Sequence, residues 1–256
     1  MRNRTALVTG ASRGIGRAIA LRLGREGMAV GVNYANAREQ AESVCAEIES
    51  AGGRAMALRA DVSQREQVVA MVAQLAAKFG APDILVNNAG VMVKGDLADF
   101  DYSQMERMRA VNVDGLVHVT RACVDAMKER RWGRIVNLSS LAALGTTNVG
   151  TTFYSATKAA VIALTRRFAL ELGPHGITVN VIAPGFIGTD MVMGLGTPEQ
   201  VAEITRNMSV LAMVGRIGTT EDIAHAAAFL CAEESSFVTA QTLTVDGGRM
   251  NYIGHG

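Results

Sequence analysis

Thr5-Ala6-Leu7-Val8-Thr9-Gly10-Ala11-Ser12-Arg13-Gly14-Ile15-Gly16 is the stretch on which the fold turns. Residues 5–9 form a short apolar run closed by glycine, the pattern of a buried strand. From 15 to 27 the apolar positions Ile15, Ile19 and Leu23 recur at helical spacing. Between them the glycines fall as Gly-x-x-x-Gly-x-Gly. Glycines let a backbone turn tightly and approach a ligand, and a helix amino terminus offers unpaired N–H groups to a phosphate. Such a turn is also ordinary strand–helix punctuation; its place at the first strand–turn–helix junction favours dinucleotide binding.

The same alternation continues outward. Strands are expected at 28–34, 54–60, 84–86, 134–140, 177–182 and 242–245, and helices at 37–51, 63–79, 105–130, 154–172 and 221–231. Gly52-Gly53 and Gly173-Pro174 stop two of the helices, and Ser63 with Glu66 three residues on reads as a capping box. No repeat or linker interrupts the series. Alternation of this kind requires right-handed crossovers and predicts one doubly wound α/β domain over residues 1–256, with a parallel seven-stranded sheet.

Composition removes several classes of function. Hydrophobic residues make up 49% and charged residues 19%, enough for a large core. With a net charge of +1 and no long run of like charges, nucleic acid is not an expected partner. Cys45, Cys123 and Cys231 are far apart, as are His118, His175, His225 and His255, so neither a metal site nor a disulfide framework is indicated. The first residues lead straight into a strand and no run reaches the length of a membrane span. A cytoplasmic protein with reduced thiols is the expectation.

The chemistry gathers around 139–158. If that region is helical, Tyr154 and Lys158 lie one above the other on one face. A phenol has a pKa of about 10, which a nearby ammonium pulls down, so the pair can give and take a proton near neutrality. A helix whose aromatic and lysine merely pack is the bland alternative. Just before it, a strand ends in Ser139 and Ser140, where open α/β sheets place their chemistry. Asn87-Asn88-Ala89-Gly90 follows another strand end and suits close approach of a ligand or a simple turn. Asn112 falls inside an expected helix, where asparagine competes for backbone hydrogen bonds. It is either a tolerated surface residue or the mark of an interruption that holds a water or lysine. Cofactor choice belongs to the end of the second strand. Asn33-Tyr34-Ala35-Asn36 has no carboxylate to bind a ribose 2′-hydroxyl, while Arg13 and Arg38 could meet a 2′-phosphate, so NADP(H) is read over NAD(H).

In order and spacing these residues resemble the short-chain dehydrogenase/reductase family over nearly the whole chain. The matching pieces are 9–16, Asp61-Val62, 87–90, Asn112, Ser140, Tyr154-x-x-x-Lys158, Pro184-Gly185 and Val245-Asp246-Gly247-Gly248. The resemblance implies a Rossmann-type domain with dinucleotide binding mainly in 1–140 and a substrate lid at about 188–218. It implies Tyr154 as the acid–base and Lys158 as the residue that tunes it and holds the nicotinamide ribose. Ser140 would polarise the carbonyl and Asn112 would anchor a relay water. The glycine turn (Gly10, Ser12, Arg13, Gly14, Ile15, Gly16) would take the phosphates and Asn33 would sit at the cofactor-choosing strand end. Asp61 and Val62 would flank adenine, Asn88 would line the adenosine ribose side, Ile187 and Thr189 would meet the carboxamide, and Ala89, Gly90, Pro184 and Gly185 would also bind the cofactor. No metal is implied.

Within the family the likeness is greatest to β-ketoacyl-acyl carrier protein reductases and 3-ketoacyl-CoA reductases, through Asn180-Val181-Ile182-Ala183-Pro184-Gly185-Phe186-Ile187 and Thr189-Asp190-Met191. The expected substrate is a ketone, with a 3-oxoacyl thioester first and a polyol, sugar or other secondary alcohol as the alternative. An NADP-binding sensor or scaffold is the non-enzyme alternative, opposed by the joint presence of Asn112, Ser140, Tyr154 and Lys158. Arg131 matches a position used for carrier-protein docking, whereas His175 stands where a second arginine is often found. Ala240 occupies a position usually held by glycine. The lid carries Met191, Met193, Leu195, Met208, Leu211 and Met213 among glycines, suited to an adaptable apolar wall. Opposite it, 145–152 is polar and suits a small hydroxylated ligand. The family pattern further implies a homotetramer, with the tail 249–256 at a subunit contact.

Overall fold

The computed structural model describes residues 4–98, 100–146, 149–189 and 197–249. β1 (Thr5–Val8), β2 (Ala29–Tyr34), β3 (Arg54–Arg59), β4 (Ile84–Asn87), β5 (Gly133–Leu138), β6 (Ile177–Pro184) and β7 (Thr242–Val245) pair in parallel in the order β3-β2-β1-β4-β5-β6-β7. The helices are α1 (Gly14–Arg25), α2 (Arg38–Ser50), α3 (Arg65–Phe79), α4 (Tyr102–Arg109), α5 (Gly115–Arg130), α6 (Thr152–Leu172), α7 (Pro198–Val210) and α8 (Thr220–Cys231). Side chains alternate across a strand, so successive residues feed opposite faces. Ala6, Val8, Ile84 and Val86 pack with Ile19 and Leu23 of α1 and Ile223 of α8. Leu7, Leu85 and Ile135 pack with Leu75 of α3, Met127 of α5 and Leu172 of α6. Burial on both faces explains why the strands read as continuous apolar runs rather than alternating ones.

From β1 the chain steps outward to β2 and β3, returns beyond β1 to β4, and continues the other way to β7. Loops leaving β1 and β4 therefore diverge, opening a crevice at the carboxyl ends of those strands. Every expected strand is present, with ends shifted by a residue or two. The single doubly wound Rossmann-type α/β domain expected from the sequence is the observed fold.

Three local expectations change. The helix expected over 105–130 is broken by a π-turn, Ala110–Asp114, between α4 and α5. The capping box at Ser63 does not form. Gln64 is the residue at the start of α3, while the Ser63 hydroxyl and N–H both donate to Asp61 Oδ1 at 2.7 and 3.0 Å. Reciprocal capping boxes occur instead at Thr197 with Gln200 on α7 and Thr219 with Asp222 on α8. α7 itself lies within the segment read as an apolar lid. The Gly188 N–H donates to Gly218 O and the Gly218 N–H to Phe186 O, each at 2.9 Å, which joins the two ends of that segment. Met191, Met193, Leu195, Thr147, Asn148 and the tail 250–256 lie outside the described residues.

At the opposite end of the sheet Trp132 is stacked between Arg4 and Arg134, whose guanidinium carbons lie 3.7 and 4.5 Å from the ring centroid. Arg131 closes α5 in the left-handed region (φ 51°), immediately before β5, and donates to Pro174 O at 3.1 Å. It stands at the end of β5 remote from Ser140, so it does not border this chain's own cleft as carrier docking there would require. Ala240 also has a left-handed backbone (φ 61°), the reason glycine is favoured at that position. The strain, about 1 kcal/mol, is held by the Ala240 N–H bond to Val179 O (2.8 Å) on entry to β7. Among the described residues no helix is long and apolar enough to cross a membrane and no group of side chains could hold a metal ion. All three cysteines are free and buried, and burial pushes Cys45 up to about 11 and Cys123 and Cys231 to about 12.

Candidate active site

The glycine turn is clamped from two sides. Gly10 has φ 60°, and a Cβ there would lie 2.9 Å from Ala89 Cα; at Gly16 it would lie 2.4 Å from Asn88 Nδ2. Only glycine fits these approaches. The Thr9 hydroxyl oxygen accepts from the Asn88 and Ala89 N–H groups at 3.0 Å each, and Asn88 Nδ2 donates back to Thr9 O and Gly10 O at 2.9 and 3.0 Å. Thr9, the first residue of the 9–16 motif, is thus the post joining the loops after β1 and β4.

α1 begins after Arg13 with no side chain capping its first turn. Gly14 has φ 55°, and a Cβ there would be in ordinary contact with Thr189 Cγ2, at 3.8 Å. The loop after β6, with Pro184, Gly185, Ile187 and Thr189, therefore reaches the front of α1. Ser12, Gly14 and Ile15 are partly exposed along this opening, and Arg13 is exposed.

Asn33 differs from its expected place. It is buried, its Oδ1 accepts from the Gly10 N–H at 3.1 Å, and its Nδ2 donates to Ala60 O and Leu58 O at 3.0 and 3.2 Å. The amide is committed inside the protein, so it supports the glycine turn instead of facing outward. Arg38, the other guanidinium at this strand end, is exposed and paired with Glu42 at 2.7 Å. Asp61 accepts from Ser63, and Val62 packs on Gly115, where a Cβ would lie 2.7 Å from Val62 Cγ2.

At the end of β5 the two serines part. Ser139 is buried and donates to Lys158 O at 2.8 Å; the Ser140 hydroxyl accepts from the Ala142 N–H at 3.2 Å and lies beside the Tyr154 phenol, whose ionised form it favours. Tyr154 and Lys158 share α6 as the spacing predicts, with Nζ 5.9 Å from the phenol ring centroid. Lys158 is buried and donates to Leu138 O at 2.9 Å; burial lowers its pKa to about 8. Burial also raises the Tyr154 pKa, and only the Ser140 hydrogen bond opposes it. In the ligand-free site burial sets the direction of the phenol's shift, with Lys158 Nζ bonded to the Leu138 carbonyl.

Asn112 is buried in the π-turn, not on the surface. Its Oδ1 accepts from the Val91 N–H at 2.8 Å, and its Nδ2 donates to Val91 O at 2.9 Å and Thr157 Oγ1 at 3.0 Å. A Cβ on Gly90 would come within 3.2 Å of Lys158 Nζ and 3.3 Å of Asn112 Oδ1, so Gly90 is the seam between them. Chain order had separated these groups; the sheet brings Asn112, Ser140, Tyr154 and Lys158 to one strand-end crevice beside the glycine turn.

A Rossmann-type sheet with hydroxyl and lysine side chains beside its switch point defines a class, an oxidoreductase built around a dinucleotide crevice. A family model described as enoyl-(acyl carrier protein) reductase matches residues 10–250. The 3-oxoacyl-[acyl-carrier-protein] reductase of Staphylococcus aureus is 41% identical over 246 residues, covering 96% of this chain and 97% of that protein. A crystal structure of the 3-oxoacyl-[acyl-carrier protein] reductase from Brucella melitensis aligns with TM-score 0.89 and 37% identity over 96% of this chain and 91% of that one. A gluconate 5-dehydrogenase from Burkholderia cenocepacia, in complex with NADP and tartrate, aligns with TM-score 0.90 and 33% identity over 98% and 96%. The chain belongs to the short-chain dehydrogenase/reductase family, oxidoreductases acting on CH–OH and C=O groups with a nicotinamide cofactor.

Proposed function

We propose that this protein is an NADPH-dependent carbonyl reductase whose substrate is a 3-oxoacyl thioester. The observation that carries the reading is the grouping of the Ser140 and Tyr154 hydroxyls at the end of β5 with the buried Lys158, whose Nζ lies 5.9 Å from the phenol ring centroid. The residues fit a dinucleotide: α1 is uncapped, Gly10 and Gly14 hold its approach in left-handed backbone, and no acidic residue occupies the first turn. When bound, the reduced nicotinamide supplies a hydride to the carbonyl carbon. Ser140 and Tyr154 donate hydrogen bonds to the carbonyl oxygen, where negative charge develops. Tyr154 gives its proton to that oxygen, leaving a phenolate that Ser140 and the Lys158 ammonium stabilise. Lys158, with donors beyond the one used on Leu138, holds the nicotinamide ribose, and Asn112 fixes the π-turn where the relay water is anchored. Arg13 would meet the 2′-phosphate, with Arg38 at the same strand end; Asp61 and Val62 would flank adenine, and Ile187 and Thr189, next to Pro184 and Gly185, would meet the carboxamide. The dinucleotide portion is mainly 1–140 and the lid about 188–218.

A thioester is favoured by the rim of the crevice. Leu97, Leu144 and Val149 are exposed on loops joined by the Gly95 N–H bond to Gly150 O (3.0 Å), and the rings of Phe100 and Phe153 meet at 4.4 Å with a 42° tilt. Apolar walls suit an acyl chain better than a polyol. The likeness to a 3-oxoacyl-[acyl-carrier-protein] reductase points the same way. Oxidation of a sugar acid or polyol is the second reading, favoured by the likeness to the gluconate 5-dehydrogenase. Its NADP complex also supports the cofactor assignment. The location proposed is the cytoplasm, and the assembly a homotetramer; the open edge of β7 and the fully exposed Phe237 beside it offer an unpartnered surface. Turnover of a series of 3-oxoacyl thioesters should exceed oxidation of gluconate and related polyols in kcat/KM. The reverse ranking would move the assignment to the polyol class.

A further inference from the structure

Tyr154 and Lys158 can act only if α6 holds one height against the sheet, and two threonines on its buried face set that height. Thr157 has one hydroxyl hydrogen, which it donates to Tyr154 O at 2.8 Å. Toward Asn112 Nδ2, at 3.0 Å, it must therefore be the acceptor. That fixes the Asn112 amide: Nδ2 toward Thr157 and Val91 O, Oδ1 toward the Val91 N–H. One buried hydroxyl thus ties together the loop after Gly90, the π-turn and the first turns of α6. The seam at Gly90 is tight, a Cβ there lying 3.2 Å from Lys158 Nζ and 3.3 Å from Asn112 Oδ1, which couples the π-turn to Lys158. π-Turns inside helices concentrate at functional sites, and this one has its side-chain anchor on the reactive helix.

Eight residues further along α6, Thr165 repeats the chemistry away from the reactive groups. Its hydroxyl donates to Val161 O at 2.8 Å and accepts from Asn137 Nδ2 at 2.9 Å, and Asn137 in turn accepts from Asn87 Nδ2 at 2.9 Å. Both threonines are buried and hydrogen-bonded alike. Thr165 binds the helix to the middle of the sheet, whereas Thr157 binds it to Asn112.

We propose that Thr157 is a positioning residue, the latch through which the π-turn holds Tyr154 and Lys158 in reacting geometry; the proposal rests on the reductase reading above. The test compares Thr157→Val, Thr157→Ser and Thr165→Val in the full chain, with NADPH and acetoacetyl-CoA. Thr157→Val should lower kcat about ten- to a hundredfold, the cost of a small misplacement, with NADPH affinity changing much less. Thr157→Ser, which keeps the hydroxyl, should restore most of the rate. Thr165→Val should lower the melting temperature and leave kcat near wild type. Wild-type kcat in Thr157→Val, or a serine variant as slow as the valine one, would overturn the proposal. If Thr157→Val does not fold, Thr157→Ala is read in its place. Tyr154→Phe is assayed alongside: full turnover there would remove the reductase reading itself, whereas an inactive Tyr154→Phe beside an undiminished Thr157→Val removes only the latch.

Discussion

Tyr154→Phe should bind NADPH nearly as well as the wild type and lose turnover by about 10²–10⁴-fold, the range ascribed to a positioned proton donor. The substitution removes one oxygen and leaves the ring, so packing around α6 is largely kept. What is lost is the proton that must reach the carbonyl oxygen and one of the two hydroxyls aimed at it. Ser140 remains but is left without its phenol partner. Binding measured by quenching or transfer from Trp132, the chain's only tryptophan, separates affinity from rate. Unchanged kcat would take Tyr154 out of the chemistry.

Lys158→Met should abolish turnover and, in the ligand-free protein, raise stability. Lys158 is buried, and no ion pair among the described residues includes it. Its folded pKa of about 8 lies below the ordinary value of 10.5 because burial disfavours the charge. Below pH 8 the lysine is charged in both states, and the folded state alone carries the desolvation cost. Between about 8 and 10.5 the unfolded chain binds more protons, so wild-type stability from this group rises with pH. The methionine variant should therefore be more stable by on the order of 2 kcal/mol below pH 8, after about 1 kcal/mol is deducted for the orphaned Leu138 carbonyl. The gap should close as pH climbs toward 10. Denaturant melts across that range check the sign, and a gap that widened with pH would contradict it. A charge kept at a cost to stability is what a site held ready for a cofactor would show.

Alternating apolar runs and glycine stops made the sheet readable, because a strand buried on both faces leaves an unmistakable apolar stretch. Asn112 was legible as an anomaly, since an asparagine inside a helical pattern needs a partner. Its partners, Val91 and Thr157, are joined to it by the fold and not by spacing. Ser139 and Ser140 were adjacent in text and pointed opposite ways in space, a difference that strand pleating creates. Asn33 misled for a related reason: the end of β2 was correctly located, but only the structure shows its amide turned inward to Gly10, Leu58 and Ala60. The capping boxes failed in the same manner. Ser63 had the spacing but spends its hydroxyl on Asp61, whereas Thr197 with Gln200 carried a signature that the apolar reading of the lid obscured. Local chemistry competes for each hydroxyl, and the winner depends on neighbours that only folding supplies.

The proposed role of this cleft is to take NADPH and deliver a proton and hydride to a ketone. Its most direct test is the kcat/KM ratio for NADPH over NADH with acetoacetyl-CoA, followed by loss of reduced-nicotinamide absorbance, in the wild type and in Arg13→Ala. Rapid turnover with a strong NADPH preference that falls about ten- to a hundredfold in the variant, the worth of a charge-assisted phosphate contact, is the predicted result. No reduction with either cofactor, despite NADPH binding, would contradict it.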